Sequence, residues 1–172
     1  MASKITFVSL AAVLVAAALI QVGLAGPSKG STATVRVSQS KLGRILVDAH
    51  GRSLYLFAKD RRGKSSCSGS CATAWPPLIA SGKPRAGAGV KATLLGRTKR
   101  KDGRWQVTYN RRPLYTFVKD SKKGQTNGEG VDAFGAEWYL VSPAGAKVEN
   151  DNATSSSGDD PGSGGYGGYG GY

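Results

Sequence analysis

The heptapeptide LYLFAKD at residues 54–60 returns sixty positions later as LYTFVKD at residues 114–120. The register extends upstream, where three residues recur at the same spacing: Gly43, Arg44 and Val47 match Gly103, Arg104 and Val107. Downstream, Trp75 corresponds to Trp138 after a three-residue slip. Two copies are too few for a solenoid. The sequence therefore predicts one domain at residues 35–148 with pseudo-twofold symmetry, its copies being residues 42–82 and 102–145.

Both copies of this stretch alternate large apolar groups between two faces. In the first copy, Leu54 and Leu56 point to one side of an extended strand, and Tyr55 and Phe57 point to the other. A strand with one face in water would carry polar groups on that face. We therefore expect a central strand covered on both sides, within a small all-β fold of about seven strands that forms either a sandwich or a barrel.

Further β-rich runs and turns complete this fold. The runs occupy residues 35–37, 44–49, 93–98, 105–110 and 137–142. Residues 50–52 predict one hairpin connection, and Asp102-Gly103 predicts another. Residues 80–90 and 125–134 are rich in Gly and are expected to be loops. Residues 72–75 predict one helical turn that ends at Pro76, with Trp75 packed into the core.

The N-terminus predicts export. Lys4 is the only charge before an apolar run at residues 5–20, and Gly23-Leu24-Ala25 places small residues where cleavage requires them. These features are typical of a secretory signal peptide, here residues 1–25, cleaved near Ala25. An uncleaved membrane anchor is the alternative, because the run approaches the length of a spanning helix. We expect a secreted or cell-envelope protein with a flexible lead-in at residues 26–34 and no lipid on its N-terminus.

The chain is strongly basic, with 24 Lys and Arg against 11 Asp and Glu. Without Lys4 and three aspartates near the C-terminus, 23 basic and 8 acidic residues remain, a net charge of +15. Such a charge attracts polyanions over long distances. The alternative is a solvated basic surface that mainly keeps the protein soluble. The expected partners are anionic envelope polymers or lipid headgroups, with no specific nucleic acid target. The candidate anion-binding residues are Arg61, Arg62, Lys64, Arg97, Lys99, Arg100, Lys101, Arg104, Lys122 and Lys123.

Asp60 and Asp120 end the two repeated stretches and invite two interpretations. In the first, the pair forms a metal site or an acid–base site. In the second, each Asp begins a turn and accepts hydrogen bonds from backbone N–H groups, with Gly63 as the fourth residue of the first turn. The turn interpretation accounts for each Asp without any shared site.

Cys67 and Cys71 are the only cysteines, four positions apart. Oxidising surroundings favour a disulfide between them, and one helical turn or a tight loop brings their Cα atoms within range. A metal site needs further ligands, and the chain has one His, His50. A thioredoxin-like redox pair has two intervening residues and a βαβ context, which this chain lacks. We expect a structural disulfide and no cofactor or metal.

The composition changes abruptly at residues 149–172. This segment has no Lys or Arg and ends in three Gly-Gly-Tyr units. With almost nothing to bury, it is expected to be a disordered tail.

The assembled motifs resemble a family of bacterial secreted repeats, also described as predicted lipoproteins, with a Tyr-x-(Phe/Trp/Tyr)-x-x-Asp motif. The resemblance covers residues 42–143 and places six residues on the family motif: Tyr55, Phe57, Asp60, Tyr115, Phe117 and Asp120. It implies a bacterial, exported setting and a function that is unknown. The chain lacks the lipidation Cys of the lipoprotein members.

Two functional hypotheses follow. The first is a non-catalytic binding or structural module of the bacterial envelope whose basic surface faces anionic polymers. The alternative is a redox- or metal-associated exported protein using Cys67 and Cys71, or Asp60 and Asp120. Catalysis is disfavoured, because His50 lies at a turn and no Ser stands in a nucleophile motif.

Overall fold

The computed structural model describes residues 32–148. The predicted signal peptide, most of the lead-in and the tail lie outside these residues. The elements in chain order are strand β1 (Thr34–Ser40), β2 (Gly43–Val47), β3 (Tyr55–Phe57), helix α1 (Ser70–Ala74), β4 (Arg85–Ala86), a 3-10 turn (Ala92–Leu94), β5 (Leu95–Lys99), β6 (Trp105–Tyr109), β7 (Arg112–Pro113), β8 (Asp132–Ala133) and β9 (Ala136–Leu140). The all-β prediction is confirmed, and α1 contains residues 72–74 of the predicted helical turn, with Trp75 as its C-cap. No helix in the described part of the chain has the length and apolar character needed to cross a membrane.

The nine strands of the described residues form three sheets of three strands each, in the orders β2-β1-β4, β3-β9-β8 and β5-β6-β7. Two strands were not predicted. β4 pairs in parallel with β1, and β8 pairs with β9, each through only two residues per strand. Ladders of this length lie inside the Gly-rich segments expected to be loops. They exist because a neighbouring strand offers a partner, so no sequence periodicity marks them.

The repeated stretches connect the three sheets. Leu54 N–H donates to Leu46 O of β2 at 3.0 Å, and Val141 N–H donates to Leu54 O at 3.1 Å. In the second copy, Leu114 N–H donates to Val107 O of β6 at 3.0 Å. Both copies therefore act as central connectors, although only the first contains a regular strand of three residues.

The predicted two-sided burial is confirmed. Residues 54–57 and 114–117 are all buried, and their alternation divides the interior into two clusters. The tyrosines and phenylalanines of both copies belong to an aromatic-rich cluster, whereas the leucines belong to an aliphatic one. Burial ends immediately afterwards, since Ala58 and Val118 are exposed.

The hairpins form where the sequence predicts them. Gly103 N–H donates to Arg100 O at 3.0 Å, and Arg100 N–H donates to Arg104 O at 2.9 Å, closing the β5–β6 turn. Gly103 has φ +82°, a conformation that an L-residue rarely adopts.

The turns after the two aspartates differ from the prediction. Lys64 N–H donates to Arg61 O at 3.0 Å, so the first turn comprises residues 61–64, and Gly63 is its third residue instead of its fourth. Gly63 has φ +74°, which explains the shift, because the third position is where this turn needs the left-handed conformation. Asp60 precedes the turn, so its carboxylate is available for other partners.

Candidate functional site

The two repeated stretches meet at Tyr55 and Tyr115. Tyr55 N–H donates to Tyr115 O at 2.9 Å, and Tyr115 N–H donates to Tyr55 O at 3.0 Å. Beyond this bridge the side chains cross between the repeats. The Tyr55 hydroxyl donates to Asp120 Oδ2 at 2.6 Å, and the Tyr115 hydroxyl donates to Asp60 Oδ2 at 2.6 Å. Each tyrosine is therefore bound by the aspartate of the other repeat.

The second carboxylate oxygen of each aspartate holds the loop that follows it. Asp60 Oδ1 accepts from the Ser66 N–H at 2.7 Å and from the Ser66 hydroxyl at 2.8 Å. Asp120 Oδ1 accepts from the Asn127 N–H at 3.0 Å. Both aspartates accept hydrogen bonds from backbone N–H groups, as the turn interpretation predicts. Their N–H partners, however, lie six and seven residues further along the chain and not within the turn that follows each Asp. The Tyr–Asp motif thus clamps the repeats together and anchors a loop in each.

The surroundings of these pairs keep the tyrosine hydroxyls protonated. Burial raises the pKa of Tyr55 and of Tyr115 far above the ordinary value, and the facing aspartates raise it further. Burial also raises the pKa of Asp60, against the opposing effect of hydrogen bonds from Tyr115 and Ser66 and the charge of Arg100. A protonated phenol donating to a buried carboxylate is a stabilising contact, and neither group faces open solvent.

The aromatic side chains of the repeats interlock in the same crossed manner. Four rings stack in one column: Phe57 on Trp138 at 4.1 Å between centroids, Trp138 on Trp75 at 4.0 Å, and Trp75 on Phe117 at 4.0 Å. The column has the same order from both ends, with the two tryptophans in the middle, and each repeat's Phe covers the other repeat's Trp. Trp75 is buried, as predicted, and so is Trp138.

Asp60 and Asp120 are held in separate places. Each binds a different tyrosine hydroxyl and a different loop. Among residues 32–148, no group of three or more His, Cys, Asp or Glu side chains is placed to hold a metal ion. His50 is exposed in the turn at residues 48–52.

Cys67 and Cys71 form the predicted disulfide, with their Cα atoms 5.3 Å apart. Both are buried, and Cys71 lies within α1. Both cysteines belong to the aromatic-rich cluster, where the bridge closes a corner that has no counterpart in the second copy.

Arg100 occupies a position that sequence reasoning missed. Although it is a candidate anion-binding residue, it is 8% exposed and makes short hydrogen bonds inside the protein. Its guanidinium donates to Gln106 Oε1 and to Cys67 O at 2.6 Å, and to the Ser65 hydroxyl at 2.8 Å. The sequence did contain one signal of this inward position. Gln106 lies in a predicted strand where the first copy has the apolar Leu46, so a polar partner was needed inside the protein. Arg100 thus fastens the β5–β6 hairpin to the disulfide corner.

The first basic turn and the β5–β6 hairpin lie side by side. The Thr98 hydroxyl donates to Gly63 O at 2.5 Å, and Gly63 N–H donates to Arg111 O at 2.6 Å. These contacts place six exposed cations on neighbouring segments: Arg61, Arg62, Lys64, Lys99, Lys101 and Arg111. We call these six residues the basic surface.

The remaining candidate cations are distributed differently. The turn carrying Lys122 and Lys123 packs on the other hairpin, where Gly124 N–H donates to Gly51 O at 3.2 Å. Arg97 is exposed, lies over the Trp105 ring at 4.7 Å and donates to Ser81 O at 2.6 Å. Arg104 forms an ion pair with Asp102 at 2.8 Å, which lowers the pKa of Asp102 to about 2.

Comparison with known families identifies the repeat. A family model described as a secreted repeat of unknown function matches twice, at residues 36–79 and 96–142, which together are more than half of the 172 residues. Comparison with curated proteins and with solved structures gave no match.

Proposed function

The chain belongs to the family of secreted repeats of unknown function, and from that premise we propose that it is a non-catalytic module of the bacterial envelope that binds anionic polymers. The family places it outside the cytoplasm. The proposal adds the partner, the basic surface that binds it, and export after cleavage near Ala25.

The observation that carries the proposal is a separation of charge between surface and interior. Residues 32–148 contain 22 Lys and Arg, of which 20 are exposed, and seven Asp and Glu, of which three are exposed. The exposed acids are Asp102, Asp132 and Glu137. A surface with this imbalance has a positive potential on which an anionic chain finds many contacts.

The acidic groups are held inside by hydrogen bonds. Asp60 and Asp120 hold tyrosines and loops, and Asp48 accepts from two backbone N–H groups in its own turn, at 2.8 and 3.0 Å. Glu129, half-buried, accepts from the Leu140 N–H at 2.5 Å. The fold uses these carboxylates as internal acceptors, and of the four only Asp48 also forms an ion pair within the described residues, with Arg52 at 2.7 Å.

The same contacts favour a module without catalysis. The repeated aspartates are the most conspicuous candidates for catalytic groups. Asp60 already accepts three hydrogen bonds and Asp120 accepts two, all from residues that hold these carboxylates in position. The disulfide is buried, at 1% and 5% exposure for its cysteines. These groups support a structural role.

The test is binding of the exported protein to poly(glycerol phosphate) and to heparin, measured by calorimetry at about 50 and about 200 mM salt. We expect the dissociation constant to rise at least about tenfold between the two, because each polymer contact releases counterions. Dextran, an uncharged polymer, is the matched ligand control. Absent binding, or affinity that does not change with salt, would contradict the proposal.

A protein variant tests the location. Replacing Lys64, Lys99 and Lys101 with Gln removes three charges from the basic surface, whereas replacing Lys41, Lys83 and Lys91 removes three exposed charges elsewhere. The first variant should weaken polymer binding more than the second. Binding to anionic lipid vesicles with none to either polymer would overturn the polymer assignment in favour of headgroups.

A further inference from the structure

A cleft of about 510 Å³ lies between the two repeats. Leu56, Ala58 and Arg62 contribute from the first repeat, and Asn110, Arg112 and Tyr139 contribute from the second. Gly145, Ala146 and Lys147 complete the wall. Its size falls within the range of small-ligand pockets. Three of the lining residues are cations and none is an acid.

A difference between the repeats sets the charge of this cleft. In the first copy, Arg52 forms an ion pair with Asp48 at 2.7 Å. The corresponding residues sixty positions later are Arg112 and Thr108. The second copy therefore keeps the arginine and replaces its acidic partner with a neutral side chain, and Arg112 forms no ion pair within residues 32–148. Symmetry would predict an arginine paired with a carboxylate, whereas the arginine in the cleft has no acidic partner among the described residues.

Arg62 and Arg112 are the main positive charges that a ligand in the cleft would meet. Arg62 is exposed and likewise forms no ion pair with the described residues. Lys147 lies over the Tyr139 ring, 5.1 Å from its centroid. Burial raises the pKa of the nearby Glu129, against the opposing effects of the Leu140 N–H and the charge of Lys147. Glu137 accepts a hydrogen bond from the Tyr139 hydroxyl and does not line the cleft.

The uncharged part of the lining is also selective. Leu56 is 3% exposed and gives an apolar floor, beside the half-buried Tyr139 ring. Asn110 adds an amide group at the rim, where its Nδ2 donates to Gly145 O at 3.4 Å. An apolar floor with an aromatic ring suits the C–H faces of a sugar or polyol, and guanidinium groups in the lining suit an oxyanion.

We infer that this cleft binds one sugar or polyol unit that bears a phosphate or carboxylate group, with Arg62 and Arg112 on the oxyanion. The inference rests on the proposed function, since it names the unit of the polymer that the protein recognises. It goes further in one respect. The cleft binds one sugar unit per protein molecule at a defined place, whereas the basic surface binds any polyanion.

The direct test is calorimetry on the exported protein with four probes: glucose 6-phosphate, glucuronic acid, glucose and inorganic phosphate. Binding of one molecule of either charged sugar, with glucose weaker by at least about tenfold, supports the site and tells phosphate from carboxylate. Inorganic phosphate binding as tightly as glucose 6-phosphate would mean an adventitious ion only and would overturn the sugar assignment. Equal binding of glucose would overturn the role of the arginines.

Variants locate the binding. Arg62→Gln with Arg112→Gln should lose at least about tenfold in affinity for the charged sugar. Lys41→Gln with Lys83→Gln, equal in charge and outside the cleft, should change it less than about twofold. Equal losses in both variants would overturn the cleft while leaving polymer binding intact. If neither polymer nor sugar binds the unmodified protein, the proposed function fails as well.

A second variant imitates the first repeat. Thr108→Asp places a carboxylate where Asp48 stands relative to Arg52, and this carboxylate should pair with Arg112, compete with the oxyanion and weaken sugar binding by a similar factor. Thr108 is buried, so unfolding is measured alongside. If this variant folds poorly, amide chemical-shift changes in the unmodified protein decide the matter: they should centre on Asn110, Arg112 and Ala146, and changes confined to Lys99 and Lys101 would contradict the cleft.

Discussion

The Tyr55 hydroxyl donates a 2.6 Å hydrogen bond to Asp120, sixty-five positions away and in the other repeat. Its symmetry mate joins Tyr115 to Asp60 at the same distance. Reciprocal bonds of this kind mean that neither repeat completes its own motif. The Tyr and Asp that recur in this chain's two repeats are therefore explained by association of the copies, and the motif by itself is no evidence of an active site.

Tyr55→Phe should lower the free energy of unfolding by about 1.5–3 kcal/mol, because a buried hydrogen bond to a carboxylate is lost. Urea denaturation measures this, and a double-mutant cycle with Asp120→Asn should show coupling of about 1 kcal/mol or more. Tyr139→Phe removes a hydroxyl that binds an exposed Glu and is the matched control, with an effect below about 1 kcal/mol. Additive effects of the Tyr55 and Asp120 changes would contradict the clamp.

Trp75→Ala should destabilise the protein by about 3–5 kcal/mol, since it removes the ring that stacks between Trp138 and Phe117. Trp105 is 40% exposed and lies outside the stack. Trp105→Ala should therefore have an effect of about 1 kcal/mol or less. The comparison uses chemical denaturation of both variants, and similar midpoints would argue against the stack as the centre of the core.

Gly128→Ala should destabilise the protein by about 1–3 kcal/mol through overpacking. A Cβ at this position would lie 2.6 Å from Cη2 of Trp75 and 2.9 Å from Cε1 of Tyr55. At Gly96 a Cβ would meet only the Thr108 hydroxyl, at 3.0 Å, so Gly96→Ala is the milder control. Equal thermal midpoints for the two variants would show that the loop moves away without difficulty.

Replacing Cys67 and Cys71 together with Ala should lower stability by about 2 kcal/mol, because the closed loop is short. The fold should persist, since both core clusters contain many other contacts. Thiol titration of the unfolded, unreduced protein should detect no free thiol. Two reactive thiols per chain would refute the disulfide, and loss of folding in the variant would refute its modest contribution.

Asp60 predicts a dependence of stability on pH. Burial raises its folded-state pKa above the ordinary 3.8, so the folded protein binds a proton more readily than the unfolded chain. Its contribution to stability is fully present below about pH 3.8 and is lost as pH rises through the folded pKa.

The measurement compares the unmodified protein with Asp60→Asn from about pH 3 to 7. As pH rises, the unfolding free energy of Asp60→Asn should increase relative to that of the unmodified protein. Asp132→Asn alters an exposed carboxylate and should show no such trend. A difference that moves in the opposite direction would mean that hydrogen bonds from Tyr115 and Ser66 outweigh burial.

Local patterns in the sequence determined much of this protein. The two-residue alternation in LYLFAKD specified which side chains share a face, and both faces proved to be buried. Hairpin signals located the β5–β6 turn, and the spacing of Cys67 and Cys71 permitted one local disulfide. Each of these features depends on residues within a few positions of one another, so the chain encodes them directly.

Only the tertiary structure decided which partners meet across the repeats. The crossing of Tyr55 to Asp120 depends on one register, set where Tyr55 bridges Tyr115, and no local pattern encodes it. Arg100 turns inward because Gln106, Ser65 and a backbone carbonyl converge on it, although its neighbours in the sequence suggest a solvated basic hairpin. LYLFAKD thus predicts a two-sided strand by itself, whereas its role as half of a clamp exists only once the second copy has docked.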